Sequence, residues 1–313
     1  MNLPLIDLHC DTLYEAAKQN KSLTKNDLHL SFERLSKYTP FCQILAVWSD
    51  SALCEDGAWE HFFIARENLA GELSQSTAVR LVTCDSELSV CEKEGIGAVM
   101  LAVEGGKLIK DDLSRLDTLR ESGVRFLTLT WDDQCRICGS NKTGGGLTEF
   151  GSLVLLRCME LGIIPDISHA SDEASDEVIS FMEDRGGICI ATHSNSRTVC
   201  DHSRNLTDER FIRLARLGGL VGISLAPQHL VPGGNADVDS AVRHIEHYMS
   251  LGGEDTVCLG CDLDGIAHPP HGIKSVSDIE KIADALGRIN YTEEQIKKIF
   301  YANARNFFSL WIK

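Results

Sequence analysis

The sequence predicts an α/β fold, a (β/α)8 TIM-like barrel with an extra C-terminal helix. Three observations carry this expectation. Eight short, nearly continuously apolar segments recur along the 313 residues; parallel strands covered by helices show this pattern, whereas half-exposed antiparallel strands alternate. Longer stretches of helical periodicity lie between them. Several of these stretches stop at a glycine that leads straight into the next apolar segment, as a left-handed C′ residue does. Eight βα repeats favour a closed barrel over an open doubly wound sheet.

Taken in order, the predicted strands fall at residues 3–8, 41–48, 98–103, 126–129, 163–167, 188–192, 220–224 and 257–259. The predicted helices include 57–73, 113–122, 150–161, 172–185, 208–217, 237–250 and 276–286. Ser277 with Glu280, and Thr292 with Gln295, have capping-box spacing and mark helix starts. Gly123, Gly162 and Gly218 mark helix ends. Residues 292–310 form the extra terminal helix. Residues 134–147, rich in Gly, Asn and Lys, follow the fourth strand as a long loop or lid. No low-complexity tract or Pro-rich linker interrupts the pattern, so residues 1–313 read as one barrel domain.

Lys and Arg number 30 and Asp and Glu 46, a net charge of −16. That balance speaks against a general nucleic-acid or anionic-membrane surface, either of which needs a basic face. Of the twelve cysteines, Cys42, Cys158, Cys189 and Cys258 sit inside apolar runs and act as small hydrophobes. Cys135 and Cys138 form a CxxC, but no second such pair completes a zinc knuckle. The start, MNLPLIDLHCD, has neither the basic region nor the apolar stretch of a signal peptide or membrane span. The expectation is a cytoplasmic protein with reduced thiols and no membrane partner.

The chemistry lies in the polar residues at the strand ends. His9 and Asp11 follow the first strand as His-x-Asp, and residues two apart in an extended segment point the same way. Glu104 ends the third strand, His169 follows the fifth and His193 the sixth, while Asp262 follows the eighth. All six therefore fall at the C-terminal mouth, where barrel enzymes gather side chains from separate strands. A lone His-x-Asp is more often a hydrogen-bonded turn, and a single His or Asp after a strand is commonly a cap. One mechanism accounts for five such placements together: a metal centre. The imidazole and carboxylate donors, without thiolate, suit zinc, manganese or cobalt. Five ligands exceed what one catalytic zinc needs and match two ions about 3.5–4 Å apart that share a carboxylate and a hydroxide. Asp262 is left over, suited to take a proton and pass it to a leaving group. The chemistry is hydrolytic.

IDLHCDT, AVEGG, PDISHAS, THSNSR and GCDLDG, in this order from Ile6 to Gly265, resemble the membrane dipeptidase (renal dipeptidase) family of the amidohydrolase superfamily; the terminal ANARNFF resembles the end of its members. The resemblance implies a binuclear Zn2+ barrel that hydrolyses dipeptides, including those with a C-terminal D-amino acid, by a metal-bridging hydroxide. It gives His9 and Asp11 to one zinc, His169 and His193 to the other, and Glu104 to both as bridge, with Asp262 as general base and then acid. It assigns Arg204 to the substrate's terminal carboxylate, a task suited to a bidentate guanidinium. Without the resemblance, Arg204 reads as a surface salt bridge. Trp131 departs from the pattern, standing where family members often carry a histidine thought to stabilise an oxyanion. An indole donates one N–H and carries no charge, so an aromatic wall of the pocket is its plainer role. Nothing in the sequence places His202 in the pocket. Membrane attachment is not carried over, since the leader and tail segments of an anchored protein are absent. Two other readings stand beside the dipeptidase: a related amidohydrolase acting on an amide such as an N-acyl amino acid, which Trp131 keeps open, and a non-catalytic metal-binding barrel. Barrels of this kind are often dimers, so a homodimer is the protein partner to consider, but no apolar stripe marks an interface.

Overall fold

The computed structural model describes residues 3–133 and 135–313. Its strands are β1 (Leu5–Cys10), β2 (Phe41–Trp48), β3 (Val79–Leu81), β4 (Gly97–Glu104), β5 (Val124–Thr128), β6 (Ile164–Asp166), β7 (Val221–Ile223) and β8 (Val257–Leu259). They pair in parallel in the order β6-β5-β4-β2-β1-β8-β7. The gap between β6 and β7 is filled by the predicted sixth segment, which is reduced to two bridges, Asp166 with Ile190 and Ala191 with Val221. The Ile167 N–H donates to the Ile190 carbonyl at 2.9 Å, and the Gly222 N–H to the Ala191 carbonyl at 2.8 Å. With these bonds the ring closes, and the expected α/β barrel is the observed one.

Other details also differ from expectation. β3 is additional and lies outside the ring, paired with the first half of β4 from Val79–Gly97 to Leu81–Val99. Three residues with an exposed Arg80 in the middle give too little apolar signal to predict a strand. β1 runs two residues later than the apolar run suggests, so His9 sits inside the strand, within a register shift between Asp7 and Cys10. The Ser277–Glu280 box does not form. Ser275 opens a 3-10 turn there instead, and Lys37 Nζ binds the Ser277 carbonyl at 2.8 Å and Glu280 Oε1 at 2.5 Å.

The helices follow their periodicity closely, for example Glu149–Leu161, Asp172–Arg185 and Asp208–Leu217. Gly162 and Gly218 cap two of them in the left-handed region, at φ 65° and 83°. Thr292 and Gln295 form their capping box. The terminal segment is broken by a π turn into Glu293–Lys297 and Asn303–Trp311.

Alternation along the strands sorts the core into two layers. Leu45, Val47, Val99, Leu101 and Val103 pack outward against the helices. Ile44, Ala46, Ala98, Met100 and Ala102 share the other face with Ile6, Leu8, Phe126 and Ile190. Phe307 and Phe308 of the last helix belong to that inner layer, and Phe308 meets the Phe126 ring at 5.9 Å between centroids. The terminal helix is therefore the floor of the barrel, fixed to helix Asp85–Glu94 by Arg305, which binds Asp85 and Glu92. Glu104 continues the inward series of Ala98, Met100 and Ala102, so the same alternation that fills the floor delivers a carboxylate to the mouth.

Just below the mouth the interior turns polar. Asp166 is fully buried and accepts four hydrogen bonds: from the N–H groups of Ser168 and Thr192, both at 2.9 Å, and from the hydroxyls of Thr128 and Thr192, both at 2.6 Å. Asp166→Asn turns an acceptor into a donor facing donors. It is expected to destabilise the fold by roughly 2–3 kcal/mol, measured by urea denaturation.

Candidate metal centre and active site

His9, Asp11, Glu104, His169, His193 and Asp262 converge at the barrel mouth, each less than a tenth exposed. Glu104 Oε1 is the hub: His169 Nε2 lies 2.9 Å away, His193 Nε2 3.5 Å and His9 Nε2 3.7 Å. His9 Nε2 also faces Asp11 Oδ2 at 3.5 Å and Asp262 Oδ1 at 3.9 Å. Two three-residue clusters of metal-binding geometry result, His9–Glu104–His193 and His9–Asp11–Asp262. They share His9, whereas the resemblance divides the imidazoles between two ions with Glu104 in common; His169 enters through Glu104 alone.

The donor set fits divalent cations on its own chemistry. Both ring nitrogens of His9, Nε2 of His193 and Oδ1 of Asp11 are buried without a hydrogen-bond partner among the described residues, and buried polar atoms rarely go unsatisfied. Burial, then the negative charge of Asp11, pushes the Glu104 carboxyl well above its usual range. Burial, opposed by His9 but helped by Asp11, lifts Asp262 to about 7. Burial lowers His169 to about 3, with Arg204 adding to it, and carries His193 well below its ordinary value. Burial would lower His9 too, but the carboxylates of Glu104, Asp11 and Asp262 overrule it and hold that ring at about 10. Close-packed cations would reverse this pattern, favouring anionic carboxylates and neutral imidazoles.

The backbone is bent to make the cluster. His169 (φ 71°), Asp262 (φ 59°) and Asp264 (φ 69°) all occupy the left-handed region, which costs a non-glycine residue about 1–3 kcal/mol. Gly265 is the one residue type that fits its place, because a Cβ there would run into the carboxylates of Asp11 and Asp262. Around the metal-binding side chains, Asp132 Oδ1 sits 3.3 Å from His169 Nδ1, while Lys142 of the predicted lid holds its Oδ2. Gln134, the first residue of that lid, lies outside the described residues. The lid itself is docked: the Asn141 N–H donates to the His169 carbonyl at 2.8 Å, and Asn141 Nδ2 to Ser203 Oγ at 3.2 Å.

Above the cluster opens a cavity of about 380 Å3 whose walls include Trp48, Trp131, His202, Arg204 and His229. Trp131 stacks obliquely on Trp48, with centroids 4.7 Å apart, and lies 5.8 Å from the His169 ring. It forms an aromatic wall. Arg204 is not a surface salt bridge. Only 7 % exposed, its side chain makes no hydrogen bond among the described residues, while its backbone N–H donates to His202 Nδ1 at 3.1 Å. His202 does line the cavity and packs on His229 at 4.5 Å. The sequence offered no reason to place His202 in the pocket, and it missed Asp132 and His229 altogether, because none belongs to a recognisable motif; only tertiary packing brings them in.

A closed parallel barrel with a cluster of imidazoles and carboxylates at its C-terminal mouth defines the class, that of α/β barrels with a candidate metal centre. The chain belongs to the membrane dipeptidase family, peptidase family M19, whose profile matches residues 1–309. It is 31% identical over 235 residues to an uncharacterized dipeptidase of Schizosaccharomyces pombe, covering 72% of this chain and 56% of that one. It is 27% identical over 326 residues to human dipeptidase 3, covering 98% of this chain and 65% of the relative. The chain thus spans less than two thirds of these relatives' length. Its fold matches that of a Rhodobacter sphaeroides metallo peptidase liganded with a phosphinate mimic of the dipeptide L-Ala-D-Ala, at a TM-score of 0.91 and 23% identity over the whole of both chains.

Proposed function

We propose that this protein is a dipeptidase with two zinc ions, cleaving dipeptides that include those with a C-terminal D-residue. The observation that carries the reading is Arg204: a buried guanidinium with no salt-bridge partner among the described residues, in the same cavity as the Glu104 cluster. An unpaired buried charge is strongly disfavoured, so the cavity suits a ligand that brings an anion. The carboxylate of a dipeptide is such a group. The phosphinate dipeptide mimic bound by the Rhodobacter sphaeroides relative supports the same class of substrate and its stereochemistry.

In this reading His9 and Asp11 hold one ion, His169 and His193 the other, and Glu104 both. When bound, the ions would supply Lewis-acid polarisation of the scissile carbonyl and lower the pKa of a bound water. Arg204 takes the terminal carboxylate in a bidentate grip and fixes the register of the peptide bond. Asp262 accepts the proton of the attacking water and returns it to the leaving nitrogen as the C–N bond breaks, so that one amino acid leaves with a new carboxylate and the other with a free amine. Trp48 and Trp131 close one side against bulk water. Glu15 and Asp264 line the cavity as well, and these carboxylates favour a substrate with a free ammonium over an N-acyl amino acid. All twelve cysteines are unpaired, which supports a reducing, cytoplasmic setting. None of the described helices is long and apolar enough to cross a membrane.

The test is a panel of dipeptides and N-acyl amino acids offered to the full chain with two equivalents of zinc. Cleavage of N-acyl amino acids alone would replace this substrate assignment. Arg204→Met is expected to raise KM roughly hundredfold, with kcat changed far less, since it removes a charge-assisted bidentate contact of about 3 kcal/mol. An unchanged KM would rule out the carboxylate grip.

A further inference from the structure

Beneath the His193 imidazole runs a chain of polar groups to which the reading above gives no task. Asp166 Oδ1 already receives two backbone N–H groups, and Oδ2 receives the hydroxyls of Thr128 and Thr192 at 2.6 Å. Thr192 Oγ1 lies at the same time 2.8 Å from His193 Nδ1. A threonine hydroxyl has one proton, and an ionised carboxylate only accepts. Thr192 therefore donates to Asp166 and turns a lone pair toward His193. The 2.8 Å contact is a hydrogen bond only if Nδ1 carries the imidazole's proton, which leaves the lone pair on Nε2. That atom is buried, without a protein partner and 3.5 Å from Glu104 Oε1.

We propose that Thr192, held by Asp166, is the positioning residue that fixes the Nδ1–H tautomer of His193 and aims its Nε2 lone pair into the metal centre. The proposal rests on the metal reading above. Two further observations shape it. The Thr192 carbonyl packs so closely on Gly222 and Gly260 that a Cβ at either would collide with it, so this strand end has no room to slide and the hydroxyl stays in register. Ser168 Oγ accepts the His193 N–H at 3.1 Å, which fixes the backbone of the same residue. The anchoring differs among the three imidazoles. His169 leans on Asp132, a cavity-lining residue beside the lid, at a longer 3.3 Å; among the described residues His9 has no hydrogen-bond anchor on either nitrogen. Loss of the Thr192 hydroxyl therefore acts on the ion that His193 holds, not equally on both.

The experiment starts from the zinc-loaded full chain and follows release of each ion to a chromophoric chelator, alongside a 15N histidine spectrum. In the wild-type chain, His193 should show a proton on Nδ1 protected from exchange. Thr192→Val keeps the β-branched shape but not the oxygen; it should release one of the two ions about ten- to a hundredfold more readily, the usual effect of losing an outer-shell partner, and lose the Nδ1–H protection. Thr192→Ser should restore both. A purely packing role would lower the melting temperature of Thr192→Val without singling out one ion, and that result overturns the proposal. So does a wild-type spectrum with the proton on Nε2, which decides the matter even if Thr192→Val does not fold. A wild-type chain that holds fewer than two zinc ions defeats the binuclear reading instead, and the spectrum still judges the tautomer.

Discussion

Asp262→Asn is expected to lower kcat by about 10²- to 10⁴-fold, the range that a positioned general acid–base contributes, with little change in KM. The substitution is a narrow one. Asparagine is isosteric with aspartate and is among the few residues that tolerate the left-handed backbone, here φ 59°, so the turn beside Gly265 should survive. What changes is the ability to accept a proton and give it back. Asp262 is 8 % exposed, its Oδ1 is 3.9 Å from His9 Nε2, and burial lifts its carboxyl to about 7. With cations bound the carboxyl would ionise, and its place at the mouth beside His9 lets it accept a proton from a water in the cluster and hand it on. Steady-state kinetics with zinc content measured on the same sample provides the check. A variant with full zinc and kcat within threefold of wild type would remove Asp262 from proton transfer. A variant that has lost zinc would make it a ligand, in line with its place beside His9 and Asp11 in one of the two clusters.

The fold was legible because two signals agree along most of the chain: continuous apolar runs for parallel strands, and glycine stops between helix and strand. Where they fail, the cause is local. β3 is too short and too exposed to stand out, and residues 188–192 are apolar enough to be read as a strand but form only two bridges. At Ser277 a spacing rule suggested a cap, but Lys37 reaches the Glu280 carboxylate from another element. The convergence at the mouth was legible for a geometric reason. In a parallel barrel all strand ends face one way, so polar residues that follow separate strands must meet. Sequence cannot show what stands behind the cluster. Asp166 reads as part of a strand, Thr192 as the end of another and Lys142 as lid, while Asp132 falls in none of these; their contacts with each other or with the imidazoles depend on three-dimensional packing. Arg204 is the sharpest case, since its sequence context suits an exposed ion pair and only its burial shows otherwise.

Glu104→Gln carries the other large expected effect and separates metal binding from folding. One carboxylate oxygen of Glu104 reaches the imidazoles of His169, His193 and His9 within 3.7 Å, so neutralising it withdraws the charge that two cations would share. Bound zinc should fall from two equivalents to at most one. Hydrolysis should fall on the order of 10³-fold, the equivalent of the several kcal/mol that such a centre supplies. The metal-free proteins should behave in the opposite sense. Burial and the charge of Asp11 both oppose an ionised Glu104, so an amide there relieves desolvation and repulsion, and metal-free Glu104→Gln should melt no lower than metal-free wild type. Ligand binding stabilises in proportion to the logarithm of concentration over dissociation constant, so the rise in melting temperature on adding zinc should shrink in the variant. Calorimetry with and without zinc measures both quantities. A metal-free variant that melts well below metal-free wild type would make Glu104 a structural carboxylate, and the binuclear centre would lose its bridge.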